Sequence, residues 1–186
     1  MASTFPKIVF GGASIGPSGR LYSFPDEESI EKLYQLLEEG GVDTIDTACT
    51  YGPSEDKTPG GFAAFAPGKG TGESIAQHAK ETVDRLGVDK VDVYYIHAPD
   101  ASIPLEDQLQ EINTAYTAGH FKRFGLSNFT PADVQRVYDI CKEKGYPLPT
   151  VYQSNYSAVA RKNEELLLPL LRKLGIALYV YDPLFD

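Results

Sequence analysis

Apolar and polar positions along the chain follow two alternating rhythms. Short apolar runs occur at "KIVFGGASIG" (7–16), "VDTIDTA" (42–48), "KVDVYYIHAP" (90–99), "FKRFGLSNF" (121–129), "PTVYQSNY" (149–156) and "IALYVYDPL" (176–184). Their length and their content of β-branched and aromatic residues predict buried strands. Helix-length amphipathic segments separate them, at 25–41, 74–87, 104–119, 130–145 and 162–175. The first helix opens with Pro25 and a run of acids, closes on Gly40, and carries Ile30, Leu33, Leu36 and Leu37 as one apolar stripe. Gly87 and Gly119 stop the next two, and Thr130 with Pro131 reads as an N-cap followed by a proline-compatible first turn. Pro169 falls inside the last helical segment, where it should kink the helix or mark a packing contact. The connection "YGPSEDKTPGGFAAFAPGKG" (51–70) consists of Pro, Gly, Ala and a few charges, with no run expected to form a strand.

Six strands alternating with five helices imply parallel strands joined by right-handed crossovers. That pattern leaves two α/β architectures, an open doubly wound sheet or a (β/α) barrel. In both, chemistry belongs at the C-terminal ends of the strands. Polar residues gather where the apolar runs end: Asp46, His97, Ser127 with Asn128, Gln153 with Asn155, and Tyr181 with Asp182. Their recurrence favours one shared site over scattered surface polarity.

Composition narrows the function. The 186 residues are 42% hydrophobic and 23% charged, ordinary for a globular domain large enough to bury a core. A net charge of −9 argues against nucleic acid or an anionic membrane as the main partner, since both require a basic face. Cys49 and Cys141 are far apart and lack metal-ligand spacing, which suits buried thiols in a reducing compartment rather than a disulfide. No metal site is expected. The N-terminus has no apolar signal-peptide core and no apolar run approaches membrane-spanning length, so the expected location is cytoplasmic.

Asp46, Tyr51, Lys57 and His97 form a chemically suggestive set. A phenol becomes a useful general acid when a cation and a hydrogen bond lower its pKa. A lysine held by an aspartate supplies the cation, and a histidine orients a carbonyl oxygen. Each residue also has a plain structural use. Asp46 could cap a loop, Tyr51 could be a packed aromatic, Lys57 a solvated charge and His97 a satisfied core residue.

The segments "VDTIDTACTYG", "DKVDVYYIHAPD", "FKRFGLSNF", "LPTVYQSNYSAVAR" and "GIALYVYDPL", in order over nearly the whole chain, resemble the aldo-keto reductases. The resemblance is strongest to the branch of the aflatoxin-aldehyde and succinic-semialdehyde reductases. It implies an eight-stranded (β/α) TIM-type barrel and NADPH-dependent reduction of aldehydes or ketones. Matched motif by motif, Asp46, Tyr51, Lys57 and His97 stand at the family's catalytic tetrad. Ser127, Asn128 and Gln153 match residues that hold the nicotinamide carboxamide, and Tyr181 matches the aromatic that stacks on the nicotinamide ring.

Two departures accompany the resemblance. In the family a helix and a strand separate the tetrad tyrosine from the lysine, whereas here "YGPSE" runs almost directly into "DKTPGGF". Residues 1–186 are therefore expected to form a single domain lacking one helix–strand unit, an incomplete barrel of about six parallel strands. Secondly, the family's eighth strand and the basic segment that grips the adenosine 2′-phosphate have no counterpart before Asp186, and Asp182 stands where a serine is usual near the pyrophosphate. NADPH binding is expected to be weakened or lost. Eight-stranded barrels usually need at least about 200 residues, so the sheet is expected to stay open, to have its edges covered by a second copy in a homo-oligomer, or to belong to a longer product. The expected partner is a small carbonyl compound. A non-redox acid–base catalyst and a non-catalytic protein on the same scaffold remain the alternatives. Phe62 and Phe65 either line an apolar substrate pocket or belong to a surface loop.

Overall fold

The structure, a computed structural model, describes residues 6–16, 24–58, 63–68 and 75–183, with 63–68 described as backbone only. Among the described residues, seven parallel strands form one sheet: β1 (Phe10–Gly11), β2 (Thr44–Asp46), β3 (Ala63–Gly68), β4 (Val91–Ile96), β5 (Phe121–Ser127), β6 (Pro149–Asn155) and β7 (Ala177–Tyr181). Their order in the sheet is their order in the chain. A doubly wound sheet reverses its order at a switch point, so uninterrupted succession decides for the barrel type. Among the described residues β1 and β7 pair on one side only, which leaves the barrel open.

The sequence expectation is corrected at β3. The connection after Tyr51 contains a short helix, α2 (Ser54–Lys57), and then a strand that pairs with β2 on one side and β4 on the other. The helix–strand unit expected to be missing is present in abbreviated form, and the strand count rises from about six to seven. Ala63–Gly68 has weak β-propensity and includes Pro67, so pattern alone could not mark it. Neighbours on both sides supply the pairing that propensity does not.

The remaining helices are α1 (Glu27–Glu39), α3 (Ile75–Leu86), α4 (Leu105–Thr117), α5 (Pro131–Lys144), α6 (Asn163–Leu166) and α7 (Leu168–Leu174). Asp26 caps α1 by accepting the Ser29 amide at 2.8 Å. Thr130 caps α5 and Gly145 ends it in the left-handed conformation, with φ of 69°. The segment read as one helix over 162–175 divides at Leu167, and Pro169 falls in the first turn of α7, where a missing amide costs nothing. In the α1 stripe Ile30, Leu33 and Leu37 are buried, whereas Leu36 points outward and is 53% exposed.

The strands divide their side chains between two faces. Tyr94, Ile96, Phe124, Leu126 and Tyr152 face the helices and form the large core with α3, α4, α5 and α7. A smaller cluster of Ile15, Ile30, Leu33, Leu37 and Ile45 fastens α1 to β2. Val93, Tyr95 and Val151 fill the inner face, with Val9 and Tyr179 packed beside them. Towards the beginnings of β4 and β5, the Arg123 guanidinium donates to both Asp92 carboxylate oxygens, at 3.3 and 2.7 Å, and to the Tyr179 hydroxyl at 3.3 Å. Among the described residues, no helix is long and apolar enough to cross a membrane, and no group of three or more His, Cys, Asp or Glu side chains could hold a metal. Cys141 is buried and Cys49 half-buried, and among the described residues neither forms a disulfide.

Gly125 leaves the space that the Tyr95 ring occupies. A Cβ there would lie 2.5 Å from Tyr95 Cδ1 and 3.0 Å from Val93 Cγ1. Gly125→Ala is expected to destabilise the fold by about 1–3 kcal/mol through overpacking of the inner layer, measured by urea unfolding. An unchanged unfolding midpoint would contradict the tight packing around this position.

Candidate active site

The C-terminal ends of β2, β4, β5, β6 and β7 converge on one mouth. Asp46 is the last residue of β2, and its Oδ2 accepts a 2.6 Å hydrogen bond from Gln153 Nε2 on β6. β2 and β6 stand four steps apart in the sheet. On a flat sheet that separation is about 19 Å, so the contact exists because the sheet is rolled. Burial pushes the Asp46 carboxyl up to about 6, against the opposing pull of the Gln153 hydrogen bond.

Tyr51 sits five residues beyond Asp46, half-buried, with its amide donating to Ala48 O at 2.9 Å. Its ring meets His97 edge-on, with centroids 6.4 Å apart and an interplanar angle of 87°. Burial, and then the charges of Asp46, Tyr181 and Asp182, push the Tyr51 phenol up to about 12. His97 follows β4, and burial lowers its pKa, which favours a neutral imidazole. The Asn128 amide fixes the backbone here, because its Nδ2 donates to His97 O at 2.8 Å and to Ser127 Oγ at 3.1 Å. Asn128 itself has a φ of 61°, a left-handed conformation that asparagine adopts more readily than most residues. Ser127 is buried at the end of β5, in register with Gln153. Tyr181 ends β7 with 36% exposure, and Asp182 beside it turns left-handed at a φ of 50°.

Asp46, Tyr51, His97, Ser127, Asn128, Gln153 and Tyr181 thus share one mouth. Lys57 does not join them, which corrects the expected tetrad geometry. It ends α2 on the side facing α1, its carbonyl accepts the Tyr34 hydroxyl at 2.6 Å, and its Nζ pairs with Glu27 at 3.1 Å. The residue of β3 in register with Asp46 is Phe65. Of the two expected pocket aromatics, Phe62 lies outside the described residues and Phe65 is a strand position.

The sequence reading also missed what secures this mouth. Ser54 Oγ donates to Gly12 O at 2.8 Å and accepts from Thr47 Oγ1 at 2.7 Å. The carboxylate of the adjacent Glu55 is buried against α3. The signal was the "SE" of "YGPSE", a pair of polar residues three and four positions after the tyrosine. The Gln153–Asp46 bond carries no sequence signal, since 107 residues separate its ends.

Residues 7–185 match the sequence profile of the Aldo/keto reductase family. The chain belongs to that family. This aldo/keto reductase chain is 37% identical over 196 residues to the oxidoreductase sirO of Leptosphaeria maculans, covering 96% of the chain and 60% of that protein. It is 31% identical over 197 residues to aflatoxin B1 aldehyde reductase member 4 of Homo sapiens, covering 96% of the chain and 58% of that protein. The chain therefore spans about three-fifths of the length of these curated relatives. Among solved structures, a thermostable aldo-keto reductase crystallised with the inhibitor epalrestat superposes with a TM-score of 0.79 at 26% identity, covering 97% of this chain and 69% of that one. That likeness agrees with an incomplete TIM-type barrel.

The raised Asp46 pKa has a stability consequence. A carboxyl that holds its proton more tightly when folded contributes its full stability below the unfolded value of 3.8, and that contribution is lost as the pH rises towards about 6. Asp46→Asn removes the ionisation. The variant is expected to be more stable than wild type by about 1–3 kcal/mol at pH 8, with the difference vanishing near pH 3.5, by urea unfolding at both pH values. A difference that does not depend on pH would contradict the assignment.

Proposed function

We propose that this chain carries the carbonyl-reducing end of an NADPH-dependent aldo/keto reductase, acting on a small aldehyde or ketone. The observation that carries the reading is the meeting at one mouth of Tyr51 and His97, edge to face, with the Asp46–Gln153 pair beside them. Among the described residues, nothing donates to Asn128 Oδ1 or Gln153 Oε1, although the Nδ2 and Nε2 of the same side chains are engaged. Those two acceptors suit a carboxamide NH2, and the half-open Tyr181 ring offers a stacking face, so the residues fit the nicotinamide end of the cofactor. Bound NADPH supplies the hydride.

The chain's own residues handle orientation and the proton. A neutral His97 donates a hydrogen bond to the substrate carbonyl oxygen, polarising it and turning it towards Tyr51. Tyr51 then gives its hydroxyl proton to that oxygen. The transfer runs downhill even from a phenol near 12, because an alkoxide is a stronger base than a phenolate. Burial first, and then the charge of Asp46 held by Gln153, opposes phenolate formation and keeps Tyr51 protonated across neutral pH. Lys57 takes no part while it is paired with Glu27.

A second reading, non-redox acid–base catalysis, is favoured by one observation. A carboxyl near 6 can give and take protons at neutral pH unaided. The two readings differ in their pH dependence and in whether NADPH is consumed.

For the reductase, Tyr51→Phe is expected to lower NADPH-dependent reduction of an aromatic aldehyde by at least about 100-fold, and Gln153→Ala to weaken NADPH affinity about 10-fold by calorimetry. Turnover that needs no NADPH, survives Tyr51→Phe and follows an apparent pKa near 6 would instead establish the acid–base reading. Lys57→Met is expected to leave kcat within about threefold, because its exposed ion pair contributes little. A loss matching that of Tyr51→Phe would mean that ligand binding draws Lys57 away from Glu27.

A further inference from the structure

We infer that Glu55, through Thr82 and Arg85 on α3, is a positioning residue for the Tyr51 hydroxyl. The inference rests on the reading of Tyr51 as the proton donor. Tyr51 lies on the connection between β2 and α2, and α2 has four residues, far too few to be helical on their own propensity. Pro53 at its N-cap provides no side-chain cap. The conformation that Tyr51 adopts must therefore come from where α2 is tied down.

Two ties are buried. Ser54 holds one side, bonding to Gly12 O and Thr47 Oγ1, while its own carbonyl accepts Thr58 Oγ1 at 2.8 Å. Glu55 holds the other. Its side chain is 2% exposed, Oε1 accepts from Thr82 Oγ1 at 3.1 Å, and Oε2 accepts from Arg85 Nη1 at 3.3 Å. The Ser54 amide, adjacent to Glu55, donates to Tyr51 O at 3.3 Å. Tyr51 is thus linked to α3 through one backbone hydrogen bond, one peptide unit and one carboxylate. The Tyr51 N–H donates to Ala48 O, which fixes the peptide on the other side of the Tyr51 Cα.

A carboxylate is an expensive group to bury if packing alone is required. Replacing a buried ion pair with an apolar side chain of similar volume is often neutral or stabilising. A pair of directional hydrogen bonds ties α2 to one rotation and one height against α3, which burial of apolar area does not by itself require. Two donors on fixed rows of α3, Thr82 and Arg85, meet the two oxygens of Glu55 and make that selection. Half of the Arg85 side chain reaches solvent, so the tie is partly hydrated at its outer end and dry at Thr82.

The test separates position from stability and from activity. 3-Fluorotyrosine placed at residue 51 reports the surroundings of that ring by 19F NMR, with no need for turnover. The same label at residue 152, whose hydroxyl is held by Phe129 O at 2.6 Å, serves as the reference. In Glu55→Met the residue-51 resonance is expected to move or split while the residue-152 resonance and the unfolding midpoint stay near wild type. Glu55→Gln, which keeps an acceptor for Thr82, should restore most of the wild-type signal. In NADPH-dependent reduction, Glu55→Met should lower kcat about 10- to 100-fold with KM for NADPH nearly unchanged, as expected for a misplaced donor. If Glu55→Met does not fold, Thr82→Val, which keeps shape and removes the dry hydrogen bond, takes its place with the same expected shift. An unchanged residue-51 resonance in the folded variant overturns the inference. A shifted resonance in a protein without reductase turnover upholds the positioning role and rejects the proposed reaction.

Discussion

The site depends on a curvature that one hydrogen bond reports. Gln153 Nε2 reaches Asp46 Oδ2 at 2.6 Å although three strands stand between theirs. Two side chains of this length cannot bridge a flat sheet of that width, so the strands between them must bend round until β2 and β6 face each other across the mouth. Everything chemical then follows from position. His97 is carried in on β4, Ser127 and Asn128 on β5, and Tyr181 on β7, and each arrives at the same rim because parallel strands all end there.

The inner face explains how the roll is filled with so few strands. Tyr95 lies over Gly125, and the Arg123–Asp92–Tyr179 network holds charge at the end away from the mouth. Above this layer the environment is dry enough to raise both the Asp46 carboxyl and the Tyr51 phenol, and open enough for Tyr181 to keep a third of its surface in solvent. A site that is dry below and open above suits a small ligand entering from the strand ends.

Much of this was legible in the sequence, for identifiable reasons. Strands with strong apolar runs and helices with capping residues announce themselves locally, as Thr130, Pro131 and Gly145 do around α5. Polar residues at strand ends were legible as a group because parallel topology sends them to one rim. β3 was not legible, since Ala, Pro and Gly carry no strand signal and its pairing comes from its neighbours. The position of Lys57 was hidden for a similar reason. Its direction depends on which face of a four-residue helix meets α1, a tertiary fact. Leu36 misled in the opposite sense, as an apolar residue that keeps about half of its surface in solvent.

The unbroken succession of strands also governs how such a chain assembles. Every strand bonds to the one made just before it, so each new unit can dock as it is synthesised, without waiting for distant partners. The contact between Asp46 and Gln153 is different, because it must await the arrival of β6. The rim that joins Asp46 to Gln153 is therefore a late product of maturation, and a nascent chain halted before residue 153 would have much of its outer helical core but no assembled mouth.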